Sequence, residues 1–136
     1  MSQKYKKMTD VYQSTERNAL AETEDPHKLV LIMFDALIKS MEIYIDNIDL
    51  KTADWDLRSK HFSRSLTIIY SLQSSLDFEK GGDIATNLFQ LYEYARQQLI
   101  KDLTTARVEQ TATAIKALTE IKTAWDSISS EVSDAR

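Results

Sequence analysis

The chain has 136 residues, no cysteine, two glycines, one proline and a formal net charge of −4 at pH 7. That length fits one domain with a substantial core, and so little glycine and proline cannot supply the many turns of an all-β protein. Disulfides and thiolate metal sites are excluded, and an acidic chain lacks the basic surface on which non-specific nucleic-acid binding depends.

Residues 1–24 read as a mobile N-terminal cap segment with a short helix, in which Tyr5, Met8, Val11, Tyr12, Ala19 and Leu20 are the apolar groups. A helix that short is not stable alone, so the segment must dock on the rest or stay loose. Its basic opening, MSQKYKKM, runs into Thr9 and Asp10 without the apolar stretch of a secretory signal. Asp25 and Pro26 then mark a strong helix start. The aspartate can cap, and proline fits the first helical position, where its missing N–H has no partner to lose. The run LVLIMF (29–34) is far too short to span a membrane. Continuation through Leu37, Met41, Tyr44 and Ile48 at helical spacing makes it a helix and not a buried strand. The chain is expected to be soluble and cytoplasmic, with no direct membrane insertion.

The pattern breaks near residues 49–54, where Thr52 or Asp54 can cap a second helix with Trp55, Phe62, Leu66, Ile69 and Leu76 along its stripe. Gly81 and Gly82 follow as the expected hinge, since glycine tolerates a positive φ just past a helix end. Asp83 is then the expected N-cap of a third helix, which lays Ile84, Leu88, Leu91, Ala95 and Leu99 along one face and runs to about Leu103. After a soft break at Thr104 and Thr105, a last helix carries Val108, Ala112, Ile115, Leu118, Trp125 and Ile128. Residues 130–136 form a frayed tail. Helices of roughly 25 residues joined by short turns pack antiparallel with their neighbours. The expected fold is therefore all-α: an up-down four-helix bundle over residues 25–129, with a short N-terminal cap, in a single domain 1–136.

Sites for chemistry are scarce. The two histidines, His27 and His61, form neither a Glu-x-x-His pair nor an i, i+4 pair, so no metal site is read from them. No phosphate-binding loop, nucleophile elbow or dinucleotide fingerprint is present. No enzyme activity, catalytic residue or cofactor is expected. One rival reading is a histidine phosphotransfer bundle using His61. What remains is a surplus of large side chains. Tyr92 and Tyr94 cannot both face one core, and Phe34, Ile38, Tyr70, Phe89 and Ile100 lie beside their helices' main stripes. They suggest apolar grooves able to receive an amphipathic partner, with Phe34, Ile38, Tyr70, Ile84, Asn87, Leu88, Leu91 and Tyr92 as lining residues. Asn87 sits beside the apolar stripe, where its amide can meet partner backbone or bond internally to a neighbouring helix. A structural bundle that self-associates through such grooves is a second rival.

The pieces PHKLVLIMFDAL (26–37), LDFEKGGDIATNLFQLYEY (76–94) and Ala124-Trp125, with Tyr12 ahead of Pro26, resemble the FliS family of flagellin-specific export chaperones. The resemblance covers nearly the whole chain, and its most specific part is the run 79–88. It implies a cytoplasmic four-helix bundle, without enzymatic turnover, that binds the disordered C-terminal segment of flagellin and prevents premature polymerisation. It further implies delivery to a membrane protein of the flagellar export gate, with Tyr12 as the gate contact or as a packing anchor for the cap. An anti-sigma factor or a co-chaperone is a further partner that the resemblance leaves open.

Overall fold

The computed structural model describes residues 26–48 and 54–128. Expectations about residues 1–25, including Tyr12 and Asp25, and about the tail 130–136 lie outside these described residues. Four helices follow in order: α1 (Pro26–Asp46), α2 (Trp55–Ser74), α3 (Phe78–Thr105) and α4 (Glu109–Ser127). α1 packs on α2 and α4, and α3 packs on the same two, so the helices close a ring in chain order. Cross-contacts fix the directions. Ser40 of α1 meets His61 of α2, Asp102 near the end of α3 meets Thr111 near the start of α4, and Trp125 near the end of α4 meets His27 near the start of α1. The architecture is an all-α, antiparallel four-helix bundle, as the spacing of apolar residues predicts. No helix among the described residues is long and apolar enough to cross a membrane.

Local chemistry sets the helix ends. Pro26 opens α1, where its missing N–H costs nothing. Asp54 caps α2, its carboxylate accepting from the backbone N–H of Asp56 and of Leu57, each at 3.0 Å. The glycine hinge lies elsewhere than expected. α2 ends at Ser75, and the carboxylate of Asp77, not that of Asp83, caps α3 by accepting from Lys80 N–H at 3.0 Å. Phe78–Gly81 form a single turn, after which Gly82 breaks the helix at φ 50°, ψ −123°. Those angles match the first central residue of a type II′ turn, a conformation that costs an L-residue dearly. Gly82 therefore has the positive φ read from the sequence, but as a kink inside α3. α3 ends at Ala106 in a left-handed conformation, φ 54° and ψ 42°, where glycine would be at ease.

The N-terminus of α4 has no cap from its own side chain at Val108. A group from α3 fills the gap. The fully buried Asp102 carboxylate accepts from Thr111 N–H at 2.6 Å, and the Thr111 hydroxyl donates to the Gln98 carbonyl at 3.3 Å. At the other end, the His27 and Trp125 rings stack with centroids 5.2 Å apart. Trp125 Nε1 donates to the His27 carbonyl at 3.1 Å, while His27 Nε2 donates to the Trp125 carbonyl. This reciprocal pair ties α1 to α4.

The core is built from Phe34, Leu37, Met41 and Tyr44 of α1, Ile69 and Leu72 of α2, Ala85, Tyr92, Ala95 and Leu99 of α3, and Ala114, Leu118 and Trp125 of α4. Its stripes are rotated from those expected. On α3, Ala85 and Tyr92 are fully buried, while Ile84 is exposed and Leu91 only half-buried. On α2, Trp55 is exposed, and a polar row of His61 and Ser65 goes inside with Ser40 of α1. On α4, Thr111 and Ala114 take the place of Ala112 and Ile115.

An ideal Cβ at Gly82 has no heavy atom within 4 Å, so substitution there strains the backbone alone. Gly82→Ala is expected to lower stability by about 1 kcal/mol or more, and Ala106→Gly to raise it by about 0.5 kcal/mol. Urea melts of the two single variants check both signs.

Candidate functional site

α3 buries one stripe and carries large apolar side chains on both flanks. Residues 84, 87, 91, 94 and 98 recur at helical spacing along one flank. Gln98 closes that row against α4, its carbonyl bonded to Thr111. Ile84 is 47% exposed, Tyr94 is exposed and Leu91 half-buried, so the row forms one wall of an α3–α4 groove. The half-buried Ile121 of α4 and Ile128, just past its end, pack on the core. The antiparallel pairing of Gln98 with Thr111 carries them to the level of Leu88 and Gly81, the stretch that the Ile84–Leu91 row flanks.

The second flank faces α2, and this is the least extensively packed of the four helix pairs. Trp55 is 64% exposed and Tyr70 71%, while Phe62 and Leu66 are half-buried. From α3 come Phe78, Phe89, Ile100 and Leu103, all exposed. Phe78 and Phe89 meet edge to face, centroids 6.0 Å apart, and Arg58 lies over the Trp55 ring at 3.7 Å. Between these apolar stretches sits a polar group. Arg96 donates from Nε and Nη2 to Glu93 Oε1 and Oε2, at 2.9 and 2.5 Å. Across the groove, Gln73 Nε2 reaches Glu93 Oε1 at 3.4 Å and the Phe89 carbonyl at 3.5 Å. The Arg96 hydrogen bonds push Glu93 down to about 2, against the opposing effect of burial, so the pair is ionic at any ordinary pH.

The expected lining residues divide into two sets. Phe34 and Tyr92 are fully buried, with centroids 5.9 Å apart, and Ile38 and Leu88 are buried beside them. Tyr70, Ile84 and Asn87 are exposed, and Leu91 lies between the two states. Among the described residues no hydrogen bond ties Asn87 to a neighbouring helix. The reading of sequence stripes missed Trp55, Phe78 and Leu103 as surface groups. The available signal was the second apolar row on α3, which repeats one flank away from the core stripe.

His61 is 4% exposed, its Nδ1 within 3.2 Å of the Ser40 hydroxyl. Burial, then Lys60 and Arg64, lower its pKa, so the ring is neutral and enclosed. A phosphoryl donor cannot reach such a ring without opening the bundle, and His61 takes no part in the candidate site. Among the described residues, no three His, Asp or Glu side chains gather as a metal site would require.

Comparison with known proteins adds an independent finding. The family model described as Flagellar protein FliS matches residues 8–132. The chain is 31% identical over 106 residues to the flagellar secretion chaperone FliS of Vibrio cholerae, covering 78% of this chain and 76% of that one. It is 34% identical over 117 residues to the flagellar secretion chaperone FliS of Salmonella typhimurium, covering 79% of each. It is also 36% identical over 66 residues to the flagellar secretion chaperone FliSB of Pseudomonas aeruginosa, covering 48% of this chain and 52% of that one.

Separation of core from flank is measurable by stability alone. Phe34→Ala is expected to cost about 3–5 kcal/mol through the cavity it leaves, whereas Tyr70→Ser and Ile84→Ser should each shift stability by no more than about 0.5 kcal/mol. Chemical denaturation of the three variants distinguishes the two sets.

Proposed function

The chain belongs to the FliS family, a family of flagellar secretion chaperones, and on that premise we propose that it binds the disordered C-terminal segment of flagellin along the flanks of α3. It holds the segment unpolymerised in the cytoplasm and passes it to the flagellar export gate. The observation that carries this reading is the pair of apolar rows, Ile84, Leu91 and Tyr94 on one side of α3, and Phe89, Ile100 and Leu103 on the other. Isolated apolar side chains on a surface are ordinary, but rows on both flanks of one helix suit amphipathic segments laid alongside it.

Flagellin's C-terminal segment finds its apolar partners only in the filament, so a chaperone must cover those faces beforehand. A disordered partner loses conformational entropy when it orders, and a long, wrapped interface suits that cost better than a compact pocket. The work is binding without turnover. Delivery to the gate through Tyr12 belongs to the same proposal. The buried Phe34, Ile38, Leu88 and Tyr92 support the flanks from beneath, and reach cargo only if the bundle opens around it.

Asn87 belongs to the exposed Ile84–Leu91 row, where its amide can meet the backbone of a bound segment. Asn87→Leu is expected to leave the melting point near wild type while weakening flagellin binding by about 1–3 kcal/mol. The encompassing experiment is a pull-down with full-length against C-terminally truncated flagellin. Retention of the full-length protein alone supports the reading. Equal retention of both, or of neither, removes it, and dimers without cargo would favour the self-associating bundle.

A further inference from the structure

We propose that Glu93 and Arg96, braced by Gln73, form a polar crossbar that divides the α2–α3 groove into two apolar compartments and sets the register of the bound segment through a hydrogen-bond acceptor lying over Arg96. This rests on the reading above and specifies what the segment must carry.

The crossbar spans the groove, because Gln73 stands on α2 and Glu93 and Arg96 on α3. Its two charged side chains are 32% and 41% exposed, neither sealed in the core nor free on the surface. One compartment holds Phe78 and Phe89, and the other holds Ile100 and Leu103. At about 1.5 Å rise per residue, Phe89 and Ile100 stand roughly 16 Å apart along α3. A segment filling both compartments must therefore cross the ion pair.

That crossing is selective. An apolar stretch laid over the pair would strip its water and replace none of the hydrogen bonds, which penalises binding. A guanidinium has five N–H groups in a fixed fork, and Glu93 takes only two of them. An Asp, Glu, Asn or Gln oxygen on the segment can accept from the others, turning a penalty into a charge-assisted bond. The matching segment carries two apolar clusters with one acceptor side chain between them. A second copy of this chain is a poorer occupant, since each copy bears a net charge of −4 and the two repel.

The test is titration calorimetry of the full chain with a flagellin C-terminal fragment, comparing wild type, Arg96→Met and Arg96→Lys. Met keeps the apolar stem and removes every donor, and Lys keeps the charge without the fork. An unchanged melting point with binding weakened about tenfold or more by Met, and partly restored by Lys, is the expected result. In a scan of the fragment's acceptor side chains to Leu, one position should cost affinity against wild type and nothing against Arg96→Met. Wild-type affinity in Arg96→Met, or losses that add at every position, overturns the crossbar while leaving flagellin binding in place. Failure of the wild-type chain to bind the fragment overturns the functional reading itself. If the Arg96→Met effect vanishes once residues 1–24 are deleted, or consists in the loss of a dimer, the crossbar serves this chain's own segment or a second copy and the proposal falls.

Discussion

The rotation of α3 about its own axis governs the rest of this structure, and contacts with α1 across the core set it. The Tyr44 hydroxyl of α1 donates to the Leu99 carbonyl of α3 at 2.8 Å, and Phe34 packs on Tyr92. A buried hydroxyl without a partner would be costly, so this bond fixes where Leu99 lies. Burial, then the Asp102 charge, raises the Tyr44 pKa and keeps the phenol a donor. With Tyr92 and Leu99 inside, Ala85, Leu88, Ala95 and Asp102 follow by helical spacing. Ile84 and Leu91 turn toward α4, Phe89 and Ile100 toward α2. The apolar flanks of α3 are what this rotation leaves outside.

Much of the bundle is legible in the sequence because helices, their ends and their antiparallel order are local matters. Pro26, Asp54 and the glycine pair announce themselves within a few residues. The rotation of each helix is not local. Counting aliphatic side chains favours Ile84 and Leu91 over Ala85 and Tyr92, whereas the facing helices admit a small residue at one level and an aromatic ring at another. The same count reads Trp55 as core and overlooks His61, whose place depends on Ser40 twenty-one residues earlier. Asp102 is hidden for a related reason. It caps a helix other than its own, and no N-terminal signal on α4 reveals that. In the candidate site, Ile84 and Asn87 could be found from spacing, but the Gln73–Glu93 contact joins residues 20 apart on different helices. Its polar members look in sequence like ordinary solvated positions.

Physical division of labour follows. Four buried residues that resemble groove lining, Phe34, Ile38, Leu88 and Tyr92, hold α3 in place. The flanks can then vary in chemistry without disturbing the core, since an exposed substitution alters few buried contacts. Under the proposed function, a changing client is met by altering the flanks while the packing that presents them stays the same.

The reciprocal His27–Trp125 pair has a consequence for assembly. It joins residues 98 apart, whereas α2–α3 and α3–α4 meet through short turns. Loop-closure entropy rises with the length enclosed, so the α1–α4 seam carries the largest chain-ordering penalty of the four. Sequentially local hairpins form quickly, and a contact between distant ends waits for them. Chain connectivity thus favours early formation of the α2–α3–α4 surface and late closure of the ring.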